Sequence, residues 1–239
     1  MTEHWLSREK LLIGEQGLKI LTGSCICVLG LGGVGGAAAE ALCRAGVGHL
    51  ILVDHDPVDI TNLNRQLFAT GESVGEKKII AAKNRLLSIN PALKLTLLDS
   101  FYLPQCREEV LSLHPDFILD AIDTVTAKLD LAQQCRARGI PLISCLGTGN
   151  RFDPSLLRTG TIEQTAGCGC PLARIIRREC KKRSIPGLPV VFSTEFPAQG
   201  ICSGDSPAGR HSPGSISFVP PVAGYLLASY AVRSLLHML

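Results

Sequence analysis

Two clusters in the first third of the chain have residue types and spacing suited to chemistry on a phosphate ester. One is the glycine run Gly30-Leu31-Gly32-Gly33-Val34-Gly35, and the other is the acidic and amide-rich stretch from Asp54 to Gln66. A glycine turn brings backbone amides to a phosphate, and a carboxylate one strand later suits a ribose. Hydride transfer has no evident use for the amides and cations that follow. The combination favours chemistry on ATP.

Three of the glycines have separate steric roles. Gly30 allows a tight bend, Gly32 lets the backbone approach a phosphate, and Gly35 lets the next helix pack close to its strand. The N-terminus of that helix offers free amides to an anion. Tight strand–helix packing without a ligand is the alternative. The position of the run, after a predicted strand and before a predicted helix, favours nucleotide binding.

A carboxylate and two cations follow at positions suited to the rest of a nucleotide. Asp54 ends the second predicted strand, where it would accept hydrogen bonds from both ribose hydroxyls; an N-cap of a short turn is the alternative. Arg65 is planar and permanently charged, which suits bidentate contact with phosphate. Lys78 starts the next predicted helix and would reach the same phosphates. Either cation alone would usually be a solvated surface group.

A third predicted strand ends in a second pair of carboxylates at the same edge of the sheet. These are Asp120 and Asp123. Mg²⁺ bound to a nucleotide takes one or two protein oxygens together with phosphate oxygens. We assign this role to Asp123 and a structural role to Asp120.

Alternation of short β-branched runs with helical patterns predicts an α/β fold with a doubly wound, Rossmann-like and mainly parallel sheet. In such folds ligands lie beyond the carboxyl ends of the strands. We expect helices near 35–46, 77–89, 104–113 and 124–138. The predicted strands are Cys25–Gly30, His49–Asp54, Lys94–Leu98, Asp116–Ala121 and Leu142–Cys145.

The pattern becomes less regular after the fifth strand. Residues 147–219 form an irregular, substrate-facing region, and a terminal helix near 222–237 closes the chain. Within this region we expect a basic helix at about 171–183 and a Gly/Ser/Pro-rich flap from Phe196 to Gly214. Two short strands, Val190–Ser193 and Ser215–Val219, flank the flap. No linker is evident, so residues 1–239 are predicted to form a single domain.

Composition indicates a compact protein in a reducing compartment. Hydrophobic residues make up 46% of the 239 residues, and the net charge is only +3. The N-terminus has no apolar signal-peptide core, so the ten cysteines are interpreted as cytoplasmic thiols rather than disulfides. Pro220-Pro221 divides the apolar C-terminal stretch, which is therefore predicted to be a buried helix and not a membrane span.

Taken as a set, the residues resemble the adenylation domain of ubiquitin-activating-enzyme-like (ThiF/MoeB-type) proteins. The glycine run, Asp54-x-Asp56, Thr61-Asn62-x-Asn64-Arg65-Gln66, Lys78 and Asp123 carry this resemblance. Finer features resemble one branch, the tRNA threonylcarbamoyladenosine dehydratases. They are Ser7-Arg8-Glu9-Lys10-Leu11-Leu12-Ile13-Gly14-Glu15, Ile89-Asn90-Pro91, Cys170-Pro171-Leu172-Ala173-Arg174 and Val190-Val191-Phe192-Ser193-Thr194-Glu195.

The resemblance implies a role for each matched residue. Asp54 would hold the ribose, Gln66 would help to position the triphosphate, and Asp123 would hold Mg²⁺. Arg8 would be lent across a homodimer interface to the ATP of the partner. The glycines and Asp56 would complete the ATP site, with the phosphates held by Asn62, Arg65 and Lys78.

The implied activity is ATP-dependent cyclisation of threonylcarbamoyl-adenosine in tRNA through an acyl-adenylate. Five cations in the predicted basic helix fall within an arc of about 140° and would hold RNA phosphates, although a solvated helix face is the alternative. Ring closure within one substrate needs no thiol nucleophile. The five cations are Arg174, Arg177, Arg178, Lys181 and Lys182.

Three other functions use parts of the same residue set. An adenylyltransferase for a ubiquitin-like sulfur carrier would share the ATP residues, but such relatives hold zinc in paired Cys-x-x-Cys motifs, which this chain lacks. A nucleotide-sensing scaffold has little reason to gather the charged set. A nicotinamide-dependent oxidoreductase would explain only the glycines and Asp54. Whether a sulfur-transfer partner binds stays open, and Cys168, Cys170 and Cys202 are the candidate nucleophiles.

Overall fold

The structure, a computed structural model, describes residues 4–198 and 213–239. One seven-stranded sheet runs in the order β3-β2-β1-β4-β5-β7-β6. Each neighbouring pair is parallel except β6 and β7, which are antiparallel. The strands are β1 (Cys25–Leu29), β2 (His49–Val53), β3 (Lys94–Leu98), β4 (Phe117–Asp120), β5 (Leu142–Cys145), β6 (Leu157–Thr161) and β7 (Pro189–Ser193). The predicted mainly parallel α/β fold is confirmed.

Helices cover both faces of the sheet. Along β1, Ile26 and Val28 pack into one apolar cluster, while Cys27 and Leu29 pack into the other. This alternation places α2, α3 and α7 on one face and α4, α5 and α6 on the other. The helices are α1 (Ser7–Gly23), α2 (Gly33–Arg44), α3 (Lys78–Ile89), α4 (Arg107–Leu111), α5 (Val125–Arg138), α6 (Pro171–Lys182) and α7 (Val219–Leu235).

Glycine and proline residues explain where two of the helices end. Gly139 ends α5 in the left-handed region at φ 67°, which a residue with a side chain adopts at a cost. Asn90 ends α3, and the following Pro91 cannot continue the helix. Both ends agree with the sequence prediction. They send the chain back into β3 and β5, and so return each strand to the same edge of the sheet.

Three elements differ from the sequence prediction. The strand expected at Ser215–Val219 is wrong, because Val219 begins α7 and the residues before it form no strand. β6 was missed because its Leu-Arg-Thr-Gly-Thr sequence is that of a half-exposed edge strand. α1 was missed because Gly14 breaks its helical pattern with φ 72° and ψ 179°.

The predicted flap lies mostly outside the described residues, as does Cys202. In the parts of the chain that the structure describes, no helix has the length and apolar character needed to cross a membrane.

Candidate active site

The glycine turn between β1 and α2 leaves no room for side chains at two positions. Gly30 has φ 85°, and a Cβ there would lie 2.9 Å from the carbonyl oxygen of Ala121. A Cβ at Gly35 would lie 1.7 Å from the carbonyl oxygen of Gly30, so any side chain would push α2 off the sheet. The N-cap residue of α2 is Gly32, which has no side chain to cap the helix. The turn therefore holds a helix N-terminus at the carboxyl edge of the sheet, where it suits an anion.

The next two glycines differ in what they face. A Cβ at Gly32 would have only the side-chain nitrogen of Gln66 within 4 Å, at 3.9 Å, and Gly32 lines a cavity. A Cβ at Gly33 would lie 2.9 Å from Pro220 Cβ and 3.2 Å from the carbonyl oxygen of Arg65. Gly32 thus leaves the cavity open. Gly33 lets the segment that carries Arg65 approach the start of α2.

Asp54 links the end of β2 to the glycine turn. Its Oδ2 accepts a hydrogen bond of 2.6 Å from the Leu31 amide, and its Oδ1 accepts one of 2.9 Å from the Asp56 amide. The residue is 8% exposed and lines the cavity. These bonds fix the carboxylate beside the turn, as a ribose-binding group requires. They also leave one lone pair on each oxygen for a ligand.

Lys78 places a buried ammonium between two carboxylates. Its Nζ lies 2.8 Å from Asp56 Oδ2 and 4.0 Å from Asp54 Oδ1. The Lys78 amide donates to the Asp56 carbonyl at 3.0 Å, which ties the start of α3 to the loop after β2. Lys78 is only 7% exposed and lines the cavity. The ion pairs therefore hold the cation at the cavity wall.

The same pairs argue against a metal ion between the acidic residues. Asp54, His55 and Asp56 place one possible ligand atom each within 4.8 Å of one another. The Lys78 ammonium, however, already neutralises this cluster at 2.8 Å from Asp56. Asp123 is exposed on the part of the cavity wall that follows β4. Of the carboxylates around the cavity, Asp123 fits a magnesium ion better, because no cation among residues 4–198 and 213–239 is paired with it.

The amide and arginine cluster lies beside the start of α2 and outside the residues that line the cavity of about 220 Å³. Asn62 uses its side-chain oxygen to accept from the Asp59 amide at 3.2 Å, which closes a 3-10 turn at Ile60–Asn62. Arg65 donates from Nη1 to the Thr61 carbonyl and to Asn64 Oδ1, both at 2.9 Å. Gln66 is buried at 8% exposure. Local side-chain hydrogen bonds thus position Asn62 and Arg65 beside the start of α2.

An aromatic wall that the sequence reasoning missed follows β3. Phe101 is 40% exposed and meets the His55 ring edge-on, with centroids 4.7 Å apart. Tyr102 donates to Asp130 Oδ2 at 2.9 Å, and burial together with this bond raises the pKa of its hydroxyl far above the usual value. Both line the cavity. The sequence signal for this wall was a pair of aromatic residues that follow β3, the strand next to the one that leads to Asp54.

A second buried lysine, which the sequence prediction also missed, links the ends of β4 and β5. Lys128 is 1% exposed, and its Nζ donates to Asp120 Oδ2 and Ser144 Oγ at 3.0 Å each and to the Cys145 carbonyl at 2.7 Å. Asp120 is fully buried in this network, so its structural assignment agrees with the structure. The signal was a lysine on the apolar face of α5, three and four residues before Leu131 and Ala132.

The cysteines provide no exposed nucleophile in the described parts of the chain. Cys168 and Cys170 are 6% and 7% exposed, and Cys170 Sγ accepts from the Ala173 amide at 3.4 Å at the start of α6. Burial raises the pKa of Cys145 and of Cys135 to about 12 each. Within residues 4–198 and 213–239, no three cysteines come together as metal ligands.

The basic helix is confirmed as α6, and its cations face a wide groove. Its apolar side is buried through Ala173, Ile176 and Cys180. The groove has a volume of about 870 Å³, and Arg136 of α5 and Glu163 also line it. The α6 cations along it are Arg174, Arg177, Arg178 and Lys181. We call this feature the basic groove.

The α6 cations differ in how far the protein already satisfies them. Arg177 donates to Thr165 Oγ1 at 2.9 Å. Glu179 pairs with Arg178 and Lys182 at 3.3 Å each and with Arg183 at 2.6 Å. Within the described residues Arg174 and Lys181 form no ion pair. These two are therefore the cations most open to an external anion.

Arg8 lies apart from the cavity residues, exposed on α1. The same helix exposes Leu11 at 89% and Leu12 at 84%. Large apolar side chains this exposed are typical of a surface that another protein covers. Arg8 thus lies next to a candidate interface.

The whole chain is similar to named tRNA-modifying enzymes. It is 39% identical over 243 residues to the tRNA threonylcarbamoyladenosine dehydratase of Bacillus subtilis (strain 168), covering 98% of this chain and 95% of that protein. It is also 31% identical over 187 residues to the sulfur carrier protein ThiS adenylyltransferase of Escherichia coli (strain K12), covering 77% and 74%.

A solved structure agrees over nearly the full length. The E. coli tRNA N6-threonylcarbamoyladenosine dehydratase, TcdA, in complex with ATP superposes with a TM-score of 0.88 at 31% identity, covering 97% of this chain and 93% of that one. The ThiF family matches residues 6–238. With the glycine turn, the Asp54–Lys78 cavity and this full-length agreement, the chain belongs to the ThiF family.

Proposed function

We propose that the protein is an ATP-dependent dehydratase that cyclises N6-threonylcarbamoyladenosine next to the anticodon of tRNA. The observation that carries this proposal is the near full-length likeness to tRNA threonylcarbamoyladenosine dehydratases, one of them solved in complex with ATP. The cavity at the glycine turn, with Asp54 and Lys78 in its wall and the segment from Asn62 to Gln66 beside the start of α2, supports an adenylation reaction.

In this proposal the cavity binds ATP along the carboxyl edge of the sheet. The adenosine lies between the aromatic wall and the end of β1, with the ribose on Asp54. The triphosphate extends along the glycine turn, where the amides of Gly30, Gly32, Gly33 and Gly35 approach it. Asn62, Arg65, Gln66 and Lys78 hold its oxygens, and Asp56 keeps the Lys78 ammonium in place at 2.8 Å. Asp123 would hold Mg²⁺, which supplies charge neutralisation on the phosphates.

The reaction then needs two displacements. A carboxylate oxygen of the substrate attacks the α-phosphorus, forms a P–O bond and displaces pyrophosphate. The carbamoyl group of the same modification attacks the activated carbonyl carbon, loses a proton and displaces AMP. The sum removes one water from the nucleoside while ATP becomes AMP and pyrophosphate. Fixed cations near the phosphorus and the tethered nucleophile provide most of the acceleration.

The tRNA is held by the basic groove in this proposal. The exposed cations Arg174 and Lys181 would contribute most to the binding of a polyanion. Binding of this kind depends strongly on salt, because each neutralised phosphate releases counterions. The region from residue 147 to residue 219 thereby faces the substrate within a single adenylation domain of residues 1–239. The reaction belongs in the cytoplasm with its tRNA.

We also propose a homodimer in which Arg8 completes the site of the partner. The exposed Leu11 and Leu12 on the same helix support an interface there. Mixing inactive Arg8→Ala with inactive Lys78→Ala should restore partial activity, because a hybrid dimer contains one intact composite site. No recovery after confirmed subunit exchange would place the whole site within one chain.

A second candidate is adenylation of the C-terminus of a sulfur-carrier protein, favoured by the 31% identity to the ThiS adenylyltransferase. One experiment separates the two activities. The protein is incubated with ATP, Mg²⁺ and bulk tRNA, and the nucleosides are analysed by mass. Loss of one water from threonylcarbamoyladenosine supports the dehydratase. An unchanged nucleoside, together with carrier-dependent exchange of pyrophosphate into ATP, would establish the second candidate instead.

A further inference from the structure

Two phenylalanine rings are exposed next to each other at the edge of the substrate-facing region. Phe152 is 70% exposed and Phe218 is 40% exposed. Their ring centroids are 6.1 Å apart with an interplanar angle of 85°, so the two rings form an L-shaped surface. We call this pair the aromatic corner. Neither ring belongs to the nucleotide cavity or to the basic groove.

The backbone under Phe152 is held rigidly. Its amide donates to both oxygens of the Glu195 carboxylate, at 2.9 and 3.0 Å, and the Asp153 amide donates to Oε2 at 3.0 Å. Two residues before Phe152, the Asn150 side-chain oxygen Oδ1 accepts a hydrogen bond of 2.6 Å from the Gly214 amide. An exposed ring on so well-fixed a backbone loses little conformational freedom when a ligand stacks on it.

Contacts on the other side place Phe218 beside the phosphate end of the nucleotide cavity. Phe218 directly precedes α7. Two residues on, Pro220 Cβ lies 2.9 Å from the Cβ position of Gly33, at the start of α2. Three residues before Phe218, the Ser215 carbonyl accepts from Asn64 Nδ2 at 3.0 Å. The aromatic corner thus lies between the phosphate-binding residues and the loop after β5.

A buried arginine directly precedes Phe152 in the chain. Arg151 is 4% exposed, and its Nη2 donates to the Cys168 carbonyl at 3.2 Å. Its Nε and Nη1 are buried and have no hydrogen-bond partner in the part of the chain that the structure describes. No carboxylate among the described residues forms an ion pair with it. A cation without an ion-pair partner among the described residues thus directly precedes Phe152, whose amide contacts the Glu195 carboxylate.

We propose that the aromatic corner stacks a nucleobase of the single-stranded anticodon loop and so positions the modified nucleotide for attack on ATP. Single-stranded RNA is recognised through unstacked bases on aromatic side chains combined with positive charge. The corner offers two aromatic faces next to the phosphate end of the ATP cavity, and the Arg151 cation directly precedes Phe152. This inference rests on the proposed function, because it requires tRNA as the substrate.

The test uses a stem-loop RNA that carries N6-threonylcarbamoyladenosine. Phe152→Ala and Phe218→Ala should each raise the KM for this RNA about tenfold, the scale of one lost stacking contact. The kcat and ATP binding should change less than about twofold. Phe152→Trp and Phe218→Trp should retain binding, because an aromatic face remains. Leu113 follows the end of α4 and is 39% exposed, so Leu113→Ala is the matched surface control and should have no effect.

Abasic substitutions in the RNA make the test specific. At one loop position an abasic residue should weaken binding to the parent protein about tenfold, yet weaken binding to Phe152→Ala/Phe218→Ala no further. If protein and RNA losses add at every loop position, no base stacks on the corner. Dissociation of a dimer by the double variant would assign the corner to a subunit interface and also overturn the proposal.

Two further outcomes separate the possible failures. A parent protein that neither binds nor converts the stem-loop would refute the proposed function itself. A parent that converts it, with phenylalanine variants that behave like Leu113→Ala, would refute only the aromatic corner.

Discussion

The nucleotide cavity and the basic groove differ in how fully their charges are satisfied by the protein. In the cavity, Asp54 and Lys78 are 8% and 7% exposed, and each has partners within the chain. In the groove, Arg174 and Lys181 are exposed and form no ion pair among the described residues. The first region is organised before its ligand binds, as electrostatic catalysis requires. In the proposed function the second is completed by a polyanion, the tRNA.

The largest expected effect tests the preorganised region. Lys78→Ala should lower turnover at least about a hundredfold, because it removes a fixed cation at the reacting phosphates. Its neighbour Lys77 is 46% exposed and pairs with Asp99 at 3.1 Å, so Lys77→Ala is a matched control with little effect. The measurement is the rate of AMP formation with tRNA, with a thermal melt to confirm folding. Equal losses in both variants would refute the assignment.

The same scale applies to the two other charged groups that we assign to the reaction. Arg65→Ala and Asp123→Ala should each lower turnover about a hundredfold. Asp123→Ala should also change the dependence of the rate on Mg²⁺ concentration. A normal rate with normal magnesium dependence would remove Asp123 from the metal site.

The sequence could predict the cavity better than the groove because the cavity depends on local steric rules. Gly30 and Gly35 are required by the close approach of α2 to the sheet, and Asp54 and Lys78 occur where strand and helix meet that edge. Lys128 escaped prediction because its three partners come from β4 and β5, which only the fold brings next to α5. The aromatic wall after β3 depends on the same convergence.

The basic groove shows what helical periodicity can and cannot predict. Helical periodicity predicted that the cations of α6 share one face, and the buried Ala173 and Ile176 confirm the opposite face. Periodicity could not show that Arg177 would bond Thr165, because that partner lies outside the helix. The edge strand β6 and the kinked helix α1 were missed for a related reason. Their sequences have weak periodicity, and packing decides their conformation.

The next prediction compares the two buried lysines. Lys128→Met should lower the free energy of unfolding by about 3 kcal/mol, because it leaves the fully buried Asp120 without its cation. Lys78→Met should cost less, since its partner Asp56 has a side chain that is 48% exposed and can be solvated. Denaturant unfolding measures both. Adding Asp120→Asn to Lys128→Met should recover part of the loss; no recovery would mean that the pair is not the cause.

The unsatisfied cations of the groove provide the next test. Arg174→Glu combined with Lys181→Glu should raise the Kd for tRNA at least about tenfold at low salt and flatten its salt dependence by about two counterions. Binding of ATP should stay near normal. Lys83→Glu combined with Lys94→Glu makes the same change in net charge at exposed sites outside the groove and is the control. Equal losses in both double variants would reduce the effect to overall charge.

Removing the candidate thiols should have a smaller effect. Serine at Cys168, Cys170 and Cys202 together should leave turnover within about tenfold of the parent, because the proposed reaction forms no bond to sulfur. Cys168 and Cys170 are also buried, at 6% and 7% exposure. Rates are measured with tRNA, and the parent protein is trapped with substrate to detect a thioester. Lost turnover in a folded variant, or a trapped thioester, would revive the sulfur-carrier reaction.

The smallest effect distinguishes paired from unpaired cations within α6. Glu179 pairs with Arg178, Lys182 and Arg183, and the bonds from Arg183 and then Lys182 hold the pKa of its carboxyl below the usual value. The carboxylate is therefore ionised at neutral pH and competes with phosphate for these cations. Glu179→Gln should tighten tRNA binding about threefold, which is the scale of a partly exposed ion pair.

The pH dependence of this gain follows from the same pKa. Because a lowered pKa keeps Glu179 charged until the solution is distinctly acid, the difference between Glu179→Gln and the parent should persist throughout the neutral range. It should shrink only as the pH falls through the folded-state pKa, where the parent carboxyl becomes neutral like the glutamine. Titration of the parent and of Glu179→Gln with tRNA at several pH values measures both affinities. Weaker binding by Glu179→Gln would mean that Glu179 orients these cations for RNA and does not compete for them.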